Sequence, residues 1–156
     1  MTDQTNAQAA QIATLFGVGR VPSAPGTAAS VVALPFAWLI EDLFGRWWLL
    51  VAAIAALAIG AWACEVYAGI KGEADPSECV IDELVGQWIV CAFVPFSLFA
   101  YFLAFVFFRV FDILKPWPID EVEKRVPGGL GIMADDVVAA LMGGIILAVL
   151  AHLDLL

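Results

Sequence analysis

Acidic residues with the chemistry of metal ligands occur in three short polar segments of this 156-residue chain. Each segment lies next to an apolar stretch, and together they contain Asp82, Glu83, Asp112, Asp135 and Asp136. Carboxylate oxygens are the ligands that hard cations such as Mg²⁺ prefer in proteins. Five acids without a bound cation would be unfavourable beside membrane-like apolar segments. The pattern therefore predicts a Mg²⁺ site.

Two basic residues accompany Asp112 at a spacing that suits a helix. Arg109, Asp112 and Lys115 recur every third residue, which places them within a ~120° arc of a helix face. A carboxylate between two cations can hold a metal ion and a phosphate together, as metal-assisted phosphoryl transfer requires. The alternative is that these side chains only snorkel from the end of a membrane helix. We favour phosphate binding by Arg109 and Lys115.

A glycine- and proline-rich segment, GVGRVPSAPGT, covers residues 17–27. It can form a backbone nest that binds an anion with the help of Arg20. It can equally be a loop in which Thr27 or Ser30 caps the following helix. The motif is loose enough to allow both, and we retain Arg20 and Thr27 as candidate substrate-binding residues.

A second glycine-rich segment, PGGLG, lies shortly before Asp135 and Asp136. Its glycines allow a ligand to approach the backbone closely. Either aspartate alone would serve as the cap of a helix over residues 137–150. Two together exceed what a cap requires, so we expect them to face a ligand.

The remaining reactive residues favour no other chemistry. Seven Lys and Arg against sixteen Asp and Glu give a net charge of −9, which argues against binding nucleic acid through its phosphates. The cysteines, Cys64, Cys79 and Cys91, form no CxxC pair, and none is followed six positions later by arginine. A zinc site, a disulfide framework and a cysteine phosphatase are therefore not expected. His152, the one histidine, lies at the far end of the last apolar stretch.

The composition is that of a membrane protein. The chain is 63% hydrophobic and 15% charged, with a mean hydropathy of +0.94, whereas soluble domains have about 45 to 50% apolar and about 25% charged residues. We expect one membrane-embedded domain over residues 17–156, in contact with membrane lipid and with no protein partner indicated. A polar segment, residues 1–16, precedes it and lacks the features of a cleaved signal peptide.

Four apolar stretches are candidate membrane helices, since a span needs ~20 apolar residues. The first contains Pro35, and the last contains Ala139, Gly143 and Gly144, which suit close helix packing. The stretches cover residues 27–40 (extendable to 44), 47–64, 84–108 and 137–150.

The third stretch is predicted to turn back rather than to cross the membrane. With a single crossing, the cations divide two against five across the membrane, whereas a turn near Pro95 places six opposite Arg46 alone, as the positive-inside rule prefers. Pro95 also breaks a helix, and the first arm is only ~16 Å long. The prediction is an all-α bundle of three spanning helices plus a re-entrant helical hairpin, with the N-terminus and polar loops cytoplasmic.

Residues 119–126 are predicted to form a short amphipathic helix on the membrane surface. Its apolar residues recur at helical spacing and are Ile119, Val122 and Val126. The opposite, solvated face is expected to carry Asp120, Glu123 and Lys124.

Four motifs, PSAPGT, VIDELVG, FRVFDILKPWPI and GGLGIMADDVVAA, resemble the bacterial phosphatidylglycerophosphatase A family over about residues 17–150. The resemblance implies a Mg²⁺-dependent enzyme of the bacterial inner membrane that converts phosphatidylglycerophosphate to phosphatidylglycerol and inorganic phosphate. The chain departs mildly from the family pattern, with Ala29 and Ala140 where glycine is usual and Ala134 where a larger apolar residue is usual. A cation-coupled transporter is the alternative, but it predicts carboxylates near the bilayer midplane.

The mechanism expected for such an enzyme assigns a role to each candidate residue. One or two Mg²⁺ ions are held by four of the acids, Asp82, Glu83, Asp135 and Asp136. Arg109 and Lys115 neutralise the phosphate oxygens while an activated water attacks phosphorus. Asp112 is a further ligand, the base for the water or a nucleophile, and the sequence does not separate these roles.

Overall fold

The computed structural model describes residues 2–156, apart from the side chain of Glu123. Over that range the chain is helical, with short connections and one 3₁₀ turn, Val18–Arg20. The α-helices, in chain order, are α1 Asp3–Ala13, α2 Pro25–Phe44, α3 Arg46–Lys71, α4 Ile81–Cys91, α5 Leu98–Leu114, α6 Ile119–Arg125 and α7 Gly128–His152.

Three helices, α2, α3 and α7, are long and apolar enough to cross a membrane. They contain 20, 26 and 25 residues, against the ~20 that a span requires. Large apolar side chains cover their outer faces, among them Trp47, which is 75% exposed, and Ile54, which is 66% exposed. A surface of this kind is stable against lipid rather than water. The chain is therefore an all-α membrane protein, and the predicted first, second and fourth apolar stretches all lie in these helices.

The last membrane helix begins much earlier than the sequence predicts. Helix α7 starts at Gly128, so Asp135 and Asp136 lie about two turns inside it. The interpretation of either aspartate as the cap of a helix over residues 137–150 is wrong. The glycine-rich segment before them is helical and packs against α3.

The first turn of α7 is capped by a residue of α3. The Glu65 carboxylate accepts a hydrogen bond from the Gly129 N–H group. A Cβ atom at Gly129 would overlap the Ala61 carbonyl oxygen of α3, so glycine allows the two helices to touch here. A negative charge at this position also suits the positive end of the helix dipole.

We expect Glu65→Ala to lower the free energy of unfolding by about 1 kcal/mol, because the α7 N-terminus loses its cap. Thermal unfolding of the detergent-solubilised protein measures this loss. Glu73→Ala is the matched control, since Glu73 is an exposed acid just beyond the end of α3. Equal unfolding midpoints for Glu65→Ala and Glu73→Ala would contradict the capping role.

The long third apolar stretch is divided into two helices. Helix α4 ends at Cys91 and α5 begins at Leu98, with the break around Pro95 as predicted. The Ser97 side chain caps α5 by accepting a hydrogen bond from the Ala100 N–H group at 3.1 Å. Arg46, the first residue of α3, donates to the Val94 carbonyl oxygen at 3.2 Å, which connects the break to the start of α3.

Small residues of α7 allow the neighbouring helices to pack closely around it. Helix α7 contacts α3, α4 and α5, and Ala139 is fully buried. A Cβ atom at Gly144 would lie 2.9 Å from the Phe93 ring, and one at Gly143 would lie 3.4 Å from Phe107. The prediction that these residues support close helix packing is confirmed.

Helices α1 and α6 lie at the polar end of the bundle. Helix α1, within the predicted polar segment, packs its buried Ala9 and Ala13 towards α3. Helix α6 buries Ile119 fully and exposes Lys124, which pairs with Asp120 at 3.1 Å. The predicted contribution of the Glu123 side chain to the charged face lies outside the described residues.

Candidate active site

The ends of four helices border one polar cavity of about 400 Å³. They are the first turns of α2 and α4, the last turn of α5 and the second and third turns of α7. Eight of the nine predicted site residues line this cavity, namely Thr27, Asp82, Glu83, Arg109, Asp112, Lys115, Asp135 and Asp136. Asp82 and Asp136, for example, are 54 positions apart in the sequence and meet here. Because α4 begins and α5 ends at the cavity, the chain between them runs away from the cavity and returns to it.

The carboxylates form two overlapping groups. Asp82, Glu83 and Asp136 each place an oxygen within 4.8 Å of the others, and so do Asp112, Asp135 and Asp136. Asp136 belongs to both groups and is only 3% exposed. Clusters of acid oxygens at this separation are suited to a hard divalent cation.

Asp82 and Glu83 occupy the first turn of α4, where the helix dipole favours negative charge. The Asp82 carboxylate accepts a hydrogen bond from the Glu83 N–H group at 3.0 Å. Burial raises the pKa of Asp82 well above its ordinary value, and the Glu83 charge raises it further. Burial also raises the pKa of Glu83, against the opposing effects of Asp82 and Arg109. A bound cation would reverse these shifts, because it favours the charged carboxylates.

The two cations of the cavity pair with acids of both groups. Arg109 contacts Asp112 at 2.8 Å and Glu83 at 3.9 Å, and Lys115 contacts Asp135 at 2.8 Å. The spacing predicted that Lys115 and Arg109 share a helix face. This prediction is wrong for Lys115, because α5 ends at Leu114. The Lys115 backbone is left-handed, with φ at 43°, and this turn directs the ammonium group towards α7.

Buried polar atoms without partners show what the cavity can bind. Among the described residues, Glu83 Oε2, Asp136 Oδ2 and Arg109 Nε accept or donate no hydrogen bond. Such atoms are unfavourable unless a ligand or water satisfies them. Acid oxygens and a guanidinium donor face the same space, so the residues fit a divalent cation together with an anion.

Glycine at position 26 lets helix α2 approach α4 closely. A Cβ atom there would overlap Glu83 Oε1 and would lie 3.4 Å from Arg109 Nη1. No role for Gly26 follows from the PSAPGT motif alone. The helix starts at Pro25, with Ala24 as its N-cap, so the alternative in which Thr27 or Ser30 caps it is wrong.

Arg20 lies outside the polar cavity. It is exposed and lines a neighbouring pocket with Ser77 and Glu78. The Glu78 carboxylate accepts hydrogen bonds from Tyr67 and Lys71, and these two interactions lower its pKa. Arg20 therefore faces the polar surface beside the site.

Three further polar residues line the cavity without having been predicted, namely Asp75, Ser77 and Cys79. They belong to the connection between α3 and α4, whose course is set by contacts with the 3₁₀ turn. A Cβ atom at Gly19, for example, would overlap the Glu78 carbonyl oxygen. Such contacts leave no periodic pattern in the sequence.

The fold and the cavity define the class of protein. At one end of an apolar helical bundle, clustered carboxylates lie beside two partly buried cations, a combination suited to a membrane enzyme that acts on a phosphate ester. A profile of phosphatidylglycerophosphatase A matches residues 11–151. The chain belongs to the phosphatidylglycerophosphatase A family.

Relatives from three bacteria match most of the chain, and two of them bear the name of this family. Phosphatidylglycerophosphatase A of Escherichia coli is 38% identical over 138 residues, which cover 88% of this chain and 80% of the relative. The protein of that name from Haemophilus influenzae is 36% identical and covers 84% of this chain and 81% of the relative. A putative phosphatidylinositol-3-phosphatase of Bacteroides thetaiotaomicron is 38% identical over 88% of this chain and 90% of the relative. No solved structure matches the chain significantly.

Proposed function

We propose that the protein hydrolyses the terminal phosphomonoester of phosphatidylglycerophosphate to give phosphatidylglycerol and inorganic phosphate. The observation that carries this proposal is the meeting of five carboxylates with Arg109 and Lys115 in one cavity at the ends of membrane helices. Two relatives over most of the chain bear the name of this activity. A cation-coupled transporter would need such groups near the middle of its spans, whereas the predicted carboxylates lie in the end turns of α4 and α5 or about two turns from the start of α7.

The activity is proposed to depend on Mg²⁺ held by Asp82, Glu83, Asp135 and Asp136. Glu83 has Arg109 at 3.9 Å and Asp135 has Lys115 at 2.8 Å. Asp136 keeps a buried oxygen, Oδ2, without a hydrogen-bond partner among the described residues. When bound, Mg²⁺ supplies Lewis-acid polarisation of the phosphoryl oxygens.

The cations of the chain are proposed to orient the phosphate. Arg109 has a buried Nε donor without a partner among the described residues, and a planar guanidinium matches phosphate oxygens geometrically. Lys115 adds a point charge from the side of α7. Together they hold the phosphate so that water can attack phosphorus from the side opposite the departing glycerol oxygen.

Asp112 is proposed to accept the proton of the attacking water. Its contact with Arg109 at 2.8 Å fixes the carboxylate beside the phosphate position. The new bond joins the water oxygen to phosphorus, and the glycerol oxygen leaves with the electron pair of the broken bond and takes up a proton. General-base assistance of this kind contributes about 100- to 10,000-fold.

The site is proposed to face the cytoplasm from the bacterial inner membrane. The cation distribution supports this proposal, since a chain that turns back at Pro95 places six of the seven Lys and Arg residues on the cavity side, and cytoplasmic loops carry an excess of Lys and Arg. In this arrangement α4 and α5 form a re-entrant hairpin and α6 lies at the interface. The headgroup then reaches the cavity while the acyl chains remain in the leaflet.

Purified protein should release phosphate from phosphatidylglycerophosphate, and EDTA should lower the rate at least about tenfold because the acid cluster loses its cation. Added Mg²⁺ should restore the rate. Calorimetric titration with Mg²⁺ measures binding separately from activity. Full activity in EDTA, or no Mg²⁺ binding, would refute the metal requirement.

The same assay should include phosphatidylinositol 3-phosphate, the substrate class in the name of the Bacteroides relative. We expect phosphatidylglycerophosphate to have the higher kcat/KM. A preference for the inositol lipid would replace the proposed substrate while keeping the site.

A further inference from the structure

An apolar groove lies between α2 and α5, below the polar cavity. Its volume is about 410 Å³, and its walls include Leu34 and Trp38 from α2 and Leu98, Tyr101 and Phe105 from α5. The Tyr101 hydroxyl group donates to Glu41 at 2.7 Å, so its polar end is occupied elsewhere and its ring faces the groove.

The groove continues the helix faces that line the polar cavity. On α2, Leu34 and Trp38 follow the cavity residue Thr27 by 7 and 11 positions, which places all three within about 40° around the helix. On α5, Phe105 and Leu98 precede the cavity residue Asp112 by 7 and 14 positions, which gives the same alignment. The groove therefore lies on the same faces of α2 and α5 as the polar cavity, two to four turns further along each helix.

The depth of the groove matches one leaflet of a bilayer. At 1.5 Å per residue, Leu34 and Phe105 lie about 10 Å below the cavity residues, and Leu98 lies about 21 Å below. Half of a hydrocarbon core is about 15 Å thick. An acyl chain that hangs from a headgroup in the cavity would therefore pass along this groove.

Aromatic side chains pack against one another along the wall of the groove. The Trp38 ring lies 4.1 Å from that of Phe96 and 5.2 Å from that of Tyr101, measured between centroids. Lipid tails are as apolar as these side chains, so moving a tail from the bilayer to the groove yields little hydrophobic free energy. A groove lined by packed aromatic side chains can instead orient the headgroup to which the tail is attached.

We propose that the groove between α2 and α5 binds one acyl chain of the lipid substrate and so orients its phosphate in the polar cavity. This inference rests on the proposed lipid phosphatase activity. The site thus has two parts, a polar one for the phosphomonoester and an apolar one for a tail, and the second selects diacyl lipids over water-soluble phosphate esters.

The test compares Leu34→Trp with Leu39→Trp. Leu34 lines the groove, whereas Leu39 lies on the same helix about 140° away and is 52% exposed. Each full-length variant is assayed with dioleoyl phosphatidylglycerophosphate and with the deacylated headgroup, glycerophosphoglycerol phosphate. We expect Leu34→Trp to lower kcat/KM for the dioleoyl lipid about tenfold and to leave the deacylated substrate within twofold, while Leu39→Trp changes neither.

The outcomes distinguish a failure of the acyl-chain site from a failure of the proposed phosphatase activity. Equal behaviour of the two variants towards the lipid, or equal losses of Leu34→Trp on both substrates, would overturn the acyl-chain site. Absence of phosphate release by the wild-type protein from either substrate would instead refute the activity. Leu34→Phe is made in parallel, with a smaller increase in volume, so that the comparison survives if the tryptophan variant does not fold.

Discussion

Asp136→Asn is expected to lower kcat/KM for phosphatidylglycerophosphate at least about a thousandfold, more than any other single change in the cavity. Asp136 is the one acid that belongs to both carboxylate groups, and its Oδ2 atom has no hydrogen-bond partner among the described residues. Asparagine keeps the size of the side chain but removes the charge. Initial rates of phosphate release at saturating Mg²⁺ measure the loss.

Two further measurements distinguish a lost site from a lost fold. Mg²⁺ affinity should fall at least about tenfold in calorimetric titration, because a charged oxygen ligand is replaced by a neutral one. The unfolding midpoint should stay the same or rise, because one of several crowded negative charges is removed from a buried position. Asp42→Asn, an exposed acid near the opposite end of α2, should change none of these quantities. Activity of Asp136→Asn within threefold of wild type would contradict the assignment.

Most of the charged residues that line the cavity could be picked out from the sequence, although Asp75 could not. Carboxylates directly beside apolar stretches, such as Asp82 and Asp136, carry a large energetic penalty in a membrane unless they bind something. Their residue type and position therefore indicate function even without tertiary information. The same is true of the break at Pro95, where the chemistry of proline acts locally.

Features that depend on contacts between distant residues could not be predicted. The early start of α7 depends on a cap from Glu65 to the Gly129 N–H group, 64 positions away in the sequence. Local rules favoured Asp135 or Asp136 as the cap because those rules consider only neighbouring residues. The position of Lys115 was also mistaken, since a helical spacing rule does not apply beyond the end of α5.

The outcome for Arg20 has a similar origin. A cation in a glycine-rich loop is a reasonable anion ligand, but the course of the loop decides which pocket the side chain enters. Here Gly19 packs against the Glu78 carbonyl oxygen, and Arg20 consequently lines the pocket beside Glu78. Thr27, from the same motif, lines the polar cavity because it lies in the first turn of α2.

Gly26→Ala is expected to lower kcat/KM for phosphatidylglycerophosphate about 100-fold while leaving the fold intact. The added methyl group would overlap Glu83 Oε1, which is the flexible end of a side chain, so the carboxylate moves rather than the helices. A shift of about 1 Å in a reacting group is enough for a loss of this size. The same displacement would disturb Arg109, whose Nη1 atom lies 3.9 Å from the Glu83 carboxylate.

Gly69→Ala is the matched control for Gly26→Ala. Both glycines are helical, but nothing lies within 4 Å of a Cβ atom at Gly69, so this variant should retain full activity and gain slightly in stability. Phosphate release and the unfolding midpoint are measured for both variants. If Gly26→Ala lost activity only in proportion to folded protein, the glycine would serve packing alone. A loss of activity at an unchanged midpoint would show that the close approach of α2 fixes the position of Glu83, a role that residue spacing cannot reveal.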